Sequence, residues 1–378
     1  MINKNMCCGC SACSNICPRN CIKMKSDKEG FLYPETDESV CVKCGLCKKV
    51  CPALNHNPPA HDVHAYACKN NDTDIQKNSS SGGAFSAFAE YVLEQNGVVF
   101  GAIFDENFRV VHGYAENKYE LEKMRGSKYV QSDIGCSYKN AQQFLESGRL
   151  VLFSGTSCQV AGLHSYLRKH YDNLICIDVI CHGVPSPLVF KKYIDEMEQK
   201  YESNAENIKF RDKTEGWGNF SMKIDFHKKH YRQTVDKDIY LRGFVQNLYL
   251  RPSCYSCRYK GLTAKSDISL ADFWGIKNIL PDFYDENGVS LVLLNTKAGK
   301  NLFEKIKNTI EYSPSSLEHA ELCNHAITEP PKPNKRRKKF WGNLKNKNVI
   351  SLIDKNLKSN FINKLNITIF KLVKKIKK

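Results

Sequence analysis

The sequence has no run approaching the ~18 consecutive apolar residues of a membrane span, so nothing in it reads as a transmembrane helix. Its opening, MINKNM, leads straight into cysteines without an apolar h-region. No secretory signal is expected, and the expected location is cytoplasmic. The common cofactor fingerprints are missing too: there is no Gly-x-Gly-x2-Gly behind a strand, no Gly-x4-Gly-Lys-Ser/Thr and no His-Glu-x2-His. Acidic residues almost vanish in one region only. Residues 332–378 hold 16 Lys and Arg against a single acid, Asp354, so the rest of the chain is close to neutral. The net charge of +16 therefore belongs to a tail, and no nucleic-acid partner is expected for the body.

What the sequence has in excess is cysteine, with 18. In a reducing compartment these read as metal or redox ligands rather than disulfides. One run is Cys7-x2-Cys10-x2-Cys13-x3-Cys17-Pro18, and a second copy is Cys41-x2-Cys44-x2-Cys47-x3-Cys51-Pro52. This is the run of bacterial two-cluster ferredoxins, in which the fourth cysteine of each run serves the other cluster. Three closely spaced thiolates wrap three corners of an iron–sulfur cube, and the fourth corner is closed from elsewhere. The spacing assigns Cys7, Cys10, Cys13 and Cys51 to one 4Fe–4S cluster and Cys41, Cys44, Cys47 and Cys17 to the other. Zinc ribbons use two separated Cys-x2-Cys pairs and have no need of the third cysteine and the Cys-Pro ending. Cys8 and Cys21 fall outside the frame and read as small buried side chains.

At 378 residues the chain exceeds one domain. A polar, proline-bearing linker is expected at 55–62. Residues 79–97 read as a helix opened by Ser and Gly and stopped by Gly97 in a left-handed conformation. Two strands, 97–104 and 109–115, follow across a short turn. Strand–turn–helix units then begin at 149–155 and 174–181, the second leading to a helix over 187–201, and suggest a parallel α/β core. A helix is also expected at 298–309.

Four further cysteines stand at turns: Cys158 in GTSCQ, Cys181 in ICHG, and Cys254 and Cys257 in RPSCYSCRYKG. They could close a third thiolate site, or be a Cys-x2-Cys without ligand role beside two core thiols; spacing leaves both open. Cys68, Cys136, Cys176 and Cys323 read as packing residues. Small-residue turns stand at Ser81-Gly82-Gly83, at Ser127-Lys128-Tyr129 and at Gly155-Thr156. Their backbone amides could bind phosphate, with Arg125 or Lys128 as counter-charge, or they could be plain caps and turns.

These motifs together, from the dicluster run through SSSGGAFSA, RGSKYVQS, LFSGTSCQVAGL, ICHGVPSP and RPSCYSCRYKG to SDISLADFWGI, resemble the beta-subunit family of coenzyme F420 hydrogenase and dehydrogenase. The resemblance covers about residues 1–325 and is to the bacterial form with an N-terminal dicluster domain, often associated with polysaccharide biosynthesis. It implies an α/β (α+β overall) chain: a ferredoxin domain over 1–56, a mixed α/β flavin-binding body divided into 61–140 and 141–325, and a basic tail over 332–378. It further implies an FAD, flavin contacts at Ser81, Gly82, Gly83, Ser127, Lys128 and Tyr129 with Gly155 and Thr156 beside them, and a third 4Fe–4S cluster at Cys158, Cys181, Cys254 and Cys257. The expected activity is that of an oxidoreductase passing electrons between clusters and FAD, to or from a hydride carrier, a small substrate or a redox partner protein. A rival reading is an electron carrier or scaffold without a reaction of its own. Neither His182 nor Asp272 is distinguished as an acid or base.

In the tail, Ile362, Leu365, Ile369, Val373 and Ile376 form a stripe at helical spacing among lysines. Such a helix can lie on an anionic membrane surface, pack on the body or stay solvated, and the sequence leaves these open.

Overall fold

In both cysteine runs a residue in the left-handed region, Ser11 (φ 62°) or Gly45 (φ 75°), turns the chain into a four-residue helix, Ala12–Asn15 or Leu46–Lys49. Each helix carries the third cysteine of its run, and the proline after the fourth stops further winding. An antiparallel hairpin, β1 (Ile22–Ser26) and β2 (Leu32–Thr36), separates the two runs. This computed structural model describes residues 2–56, 58 and 62–357. The apolar stripe from Ile362 to Ile376 lies outside the described residues.

The body begins with β3 (His64–Asn70), β4 (Val98–Phe104), β5 (Val110–Ala115), β6 (Val151–Thr156) and β7 (Leu174–Val179). A separate antiparallel sheet follows, made of β8 (Ala205–Asp212), β9 (Ser221–Phe226) and β10 (Lys229–Thr234). The chain then returns with β11 (Ile268–Asp272), β12 (Ser290–Leu294) and β13 (Ile310–Ser315) to complete an eight-stranded sheet. Its order is β13-β3-β12-β11-β7-β6-β4-β5.

The parallel pairings in this sheet join only β4, β6, β7 and β11; the others are antiparallel. The expected parallel core is thus narrower than strand–turn–helix repetition suggests. β4 and β5 are joined by a short turn, which can only build an antiparallel pair. The fold is a mixed α/β one behind a ferredoxin module.

Both faces of the central strands are buried, which gives them near-continuous apolar runs. Val99, Leu152 and Ile177 point to the face covered by α1 (Ala84–Glu94). Phe100, Phe153 and Cys176 point to the face covered by α2 (Ser137–Glu146) and α3 (Ser157–Leu167). α4 (Pro187–Tyr201) begins with Ser186, whose side chain accepts from Val189 N, and packs with the small sheet. α5 (Lys297–Ile306) joins α1 on its face and ends three residues earlier than the 298–309 expectation, in a 3₁₀ turn.

Three local expectations change. The helix read over 79–97 starts only at Ala84, because Ser79–Gly83 form a turn bonded elsewhere. Its left-handed stop is Asn96 (φ 57°), not Gly97. Cys136 is exposed as the N-cap of α2, whereas Cys68 and Cys176 are fully buried and Cys323 is half-buried.

The basic region is also not wholly a tail. α6 (Arg337–Asn343), the 3₁₀ turn Leu344–Asn346 and α7 (Val349–Asn356) insert Phe340, Leu344, Val349, Leu352 and Ile353 into the core that holds α4 and the small sheet. The Glu196 carboxylate accepts from Val349 N and, at 2.9 Å, from Ile350 N, placing an acid at the positive end of α7. Among the described residues no helix is long and apolar enough to cross a membrane.

Candidate redox centres

Within the first cysteine set, Cys7 and Cys51 lie near Cys13, and so does Cys47 of the second set. Burial, and then the nearby Cys7 and Cys51, push the Cys13 thiol up to about 12. Burial likewise raises Cys51, with Cys7 as a further neighbour. Cys7 and Cys10 are buried. In the second set, Cys17 is buried, Cys41 and Cys47 pack beside it, and Cys44 stands exposed. Cys21, read as lying outside the frame, has its Sγ 3.3 Å from Cys17 Sγ and also neighbours Cys41.

The ferredoxin module is pressed onto the body at its first loop. An added Cβ on Gly9 (φ 72°) would stand 2.7 Å from Gln131 Nε2 and 2.8 Å from Arg251 Nη1, so no larger residue fits there. Gln131 Nε2 donates to Cys8 O at 3.1 Å, and Asn15 Nδ2 to Gly135 O at 2.9 Å. Three buried hydroxyls around this loop, Ser11 Oγ, Tyr33 Oη and Tyr259 Oη, have no hydrogen-bond partner among the described residues. Buried donors are rarely left so. The Tyr259 ring faces Cys8, Cys158, Cys10 and Cys51; burial and then these thiols push its hydroxyl well up. A sulfur-ligated cluster between these cysteines would give the Tyr259 hydroxyl the acceptor it lacks, so the residues fit that group.

Beyond Tyr259 lies a cavity of about 170 Å³ lined by Cys158, Cys181, Cys254 and Cys257. Each cysteine arrives on a different piece of backbone or a different position of one turn. Cys158 is the second residue of α3, and Cys181 follows β7. Cys254 sits in the 3₁₀ turn Pro252–Ser256, with Val184 N donating to its Sγ at 3.4 Å, and Cys257 follows that turn. Lys260 Nζ fixes the rim by donating to Cys181 O and, at 2.7 Å, to Ala326 O. Burial pushes Cys181 up to about 12 and raises Cys254 and Cys257. Thiols crowded in a dry space hold their protons until a metal displaces them. Among the described residues no three ligand side chains converge tightly enough for a single ion.

Cys8 lines the same cavity and is a hydrogen-bonding neighbour of both Cys10 and Cys158. Its place between the first set and the cavity was not visible in the spacing. Asp178 and His182 line the cavity as well. Asp178 is buried, which raises its carboxyl, and it accepts from Ser157 Oγ and from Ser269 Oγ at 2.5 Å. His182 Nε2 lies 2.5 Å from Asn247 Oδ1, and burial lowers its pKa.

The two expected flavin turns meet. Ser127 N donates to Ser80 Oγ at 2.6 Å. Arg211 ties them further, donating to Ser80 O and Tyr129 Oη at 2.9 Å each and to both Asp272 carboxylate oxygens at 2.8 Å. Trp217 Nε1 donates to the same carboxylate at 2.7 Å, and Trp217 stacks on Trp274 at 4.8 Å. Arg211, Lys213 and the tryptophan pair were not singled out from sequence, because nothing local marks them.

Much of the first turn is already satisfied by protein: Ser81 Oγ donates to Val289 O, and Ser81 O accepts from Lys213 Nζ. Gly83 (φ 86°) is the N-cap of α1. Thr156 N donates to Gln159 Oε1 at 2.9 Å, so the Gly155-Thr156 turn is a helix cap with its amide used. Among the described residues, one cation lacks a counter-charge and one guanidinium donor lacks an acceptor. Lys128 Nζ donates only to carbonyls, Gly126 O at 3.2 Å and Met124 O at 3.4 Å, and burial pushes its pKa down to about 7. It makes no ion pair among the described residues. Arg211 Nε is buried without an acceptor. A phosphate-bearing group fits such a turn pair.

Profiles of known families match three consecutive parts of this chain. A 4Fe–4S dicluster domain matches residues 6–55. The coenzyme F420 hydrogenase/dehydrogenase beta subunit matches with its N-terminal part over 65–135 and its C-terminal part over 148–318. The chain belongs to the coenzyme F420 hydrogenase/dehydrogenase beta-subunit family. Within that family it is an iron–sulfur subunit of oxidoreductase type, with its dicluster domain at the N-terminal side. Among solved structures, a chain of the F420-reducing NiFe hydrogenase complex from Methanosarcina barkeri aligns at a TM-score of 0.47 and 18% identity, over 79% of this chain and 90% of that one. No curated protein gives a significant match.

Proposed function

We propose that this beta-subunit relative moves electrons between its ferredoxin module and a flavin in the body, by way of a third thiolate-held cluster. The observation that carries the reading is the single cavity shared by Cys158, Cys181, Cys254 and Cys257, with Cys8 and Tyr259 between it and the first cysteine set. Iron–sulfur clusters supply one-electron transfer, and a flavin supplies the exchange between a hydride pair and single electrons.

The chain's own residues hold these groups and set their surroundings. Cys7, Cys10, Cys13 and Cys51 would hold the first cluster, Cys17, Cys41, Cys44 and Cys47 the second, and the cavity cysteines the third. The exposed Cys44 gives the series a surface end, where a redox partner protein exchanges electrons. Tyr259 Oη, buried without a partner among the described residues, would donate to a sulfur of a cluster held between the first and third sets. On the flavin side, Lys128 supplies the positive charge for a phosphate, and Arg211 holds the turns of Ser81–Gly83 and Ser127–Tyr129 together. FAD is the flavin implied, with a hydride carrier or small substrate at its open side.

An anaerobic reductive titration of the full chain tests this. Three clusters at one electron each and a flavin at two require about five electrons per chain. An end point near two electrons leaves only the ferredoxin pair and removes the reading.

A further inference from the structure

Arg251 is fully buried, with 0% of its surface exposed. Its Nε donates to Cys7 O at 2.8 Å, Nη1 to Gln131 Oε1 at 2.8 Å and Nη2 to Leu32 O at 2.9 Å. Nη2 also lies 3.7 Å from Cys7 Sγ. The guanidinium sits over the Tyr33 ring at 4.2 Å and faces Phe31 at 5.5 Å. Apart from the Cys7 sulfur, all of these partners are neutral, and Arg251 makes no ion pair among the described residues. The acids closest to Tyr33 are engaged elsewhere: Asp27 with Lys4 and Glu29 with Arg337.

A permanent charge in the interior needs an opposite charge close by. Carbonyls satisfy the N–H donors but do not neutralise the cation. The negative group within reach of Nη2 is the Cys7 thiolate with the anionic cluster it would ligate, and Cys158 also feels the guanidinium charge. The first loop is also shaped to the guanidinium, since Gly9 leaves open the space that a Cβ would take from Nη1. The second cysteine set differs. The lysines beside it, Lys43, Lys48 and Lys49, are exposed, and water and salt screen them.

We propose that Arg251 is the buried counter-charge of the cluster at Cys7, Cys10, Cys13 and Cys51 and holds its potential above that of the cluster at Cys17, Cys41, Cys44 and Cys47. A fixed cation favours the form that has gained an electron, and one-electron reduction of a cluster adds one negative charge at that place. Electrons arriving at the exposed second set are thus drawn to the set that abuts the body. Arg251 O accepts from Cys254 N at 3.0 Å, so the same residue starts the turn that brings two cavity cysteines. This inference rests on the two-cluster part of the proposed function, not on the third cluster or the flavin.

The test uses the full chain, purified without oxygen, as wild type, R251Q and R251K. Iron and sulfide are counted, and the two ferredoxin midpoints are followed by electron paramagnetic resonance during a redox titration. R251Q is expected to lower one midpoint by at least tenfold in the reduced-to-oxidised ratio, about 59 mV for a one-electron couple, and to leave the other in place. R251K, which keeps the charge, is expected to retain most of the wild-type value with unchanged iron. Unmoved midpoints in a fully loaded R251Q overturn the proposal, as does an R251K shift as large as that of R251Q. If both variants lose the iron of the first set, Arg251 is a structural support and the counter-charge role is wrong. A wild type without paramagnetic clusters fails the two-cluster reading itself, which is a separate result.

Discussion

Gly162 on α3 and Cys10 in the first ferredoxin loop are packed so closely that an added Cβ on Gly162 would stand 2.8 Å from Cys10 Cβ and 3.1 Å from its Sγ. The same Cβ would stand 2.6 Å from Tyr138 Oη, whose hydroxyl is fixed by donating to Gln159 O at 2.7 Å. Neither neighbour can yield without moving the Cys10 side chain or breaking a buried bond. Gly162→Ala is therefore expected to destabilise the chain by about 1–3 kcal/mol. It is also expected to lower the iron content by about four per chain. Urea unfolding and iron analysis of the variant check both.

The cavity cysteines and Cys8 separate ligand from neighbour. Replacing Cys158, Cys181, Cys254 or Cys257 by Ala is expected to remove about four irons per chain in each case. Cys8 neighbours Cys10 and Cys158 but stands outside both cysteine frames, so Cys8→Ala is expected to leave the iron count unchanged. Iron analysis of the five variants, prepared in parallel without oxygen, is the check.

Lys128 predicts a pH dependence. Its folded pKa is depressed to about 7 from 10.5. Between these values the unfolded chain keeps a proton that the folded chain has released. The contribution of Lys128 to the stability of flavin-free protein should therefore rise with pH from 7 toward 10.5, by at most about 1.4 kcal/mol per unit, with Lys213, also depressed to about 7, acting in the same direction. Relative to wild type, Lys128→Met should reduce that rise by the Lys128 share and weaken flavin retention. Denaturation midpoints at pH 7, 8 and 9 show whether it does.

The basic region gives a prediction about folding. Phe340 is fully buried and packs tilted against Tyr249 at a centroid distance of 5.8 Å. Phe340→Ala is expected to cost about 3–5 kcal/mol. A loss below 1 kcal/mol in urea unfolding would mean that α6 is not part of the core.

The sequence was most legible where structure is local. The cysteine runs give their own spacing, β6 and β7 are apolar runs, and the helix over 187–201 begins with Ser186-Pro187, so its bounds match. Legibility fell where distant segments meet. Arg251 bonds Cys7 across 244 positions, and Arg211 bonds Ser80 across 131; no periodicity marks either pair. Cys8 looked idle because its partner Cys158 belongs to another domain. The charge of residues 332–347 hid the apolar positions of α6, since Lys and Arg outnumber Phe340 and Trp341 there.

The central claim is that one chain carries a ferredoxin pair, a third thiolate-held cluster and a flavin. Counting iron, acid-labile sulfide and acid-released flavin in anaerobically purified full chain tests it directly. About twelve irons, an equal number of sulfides and one FAD per chain are predicted. About eight irons with no flavin would contradict it.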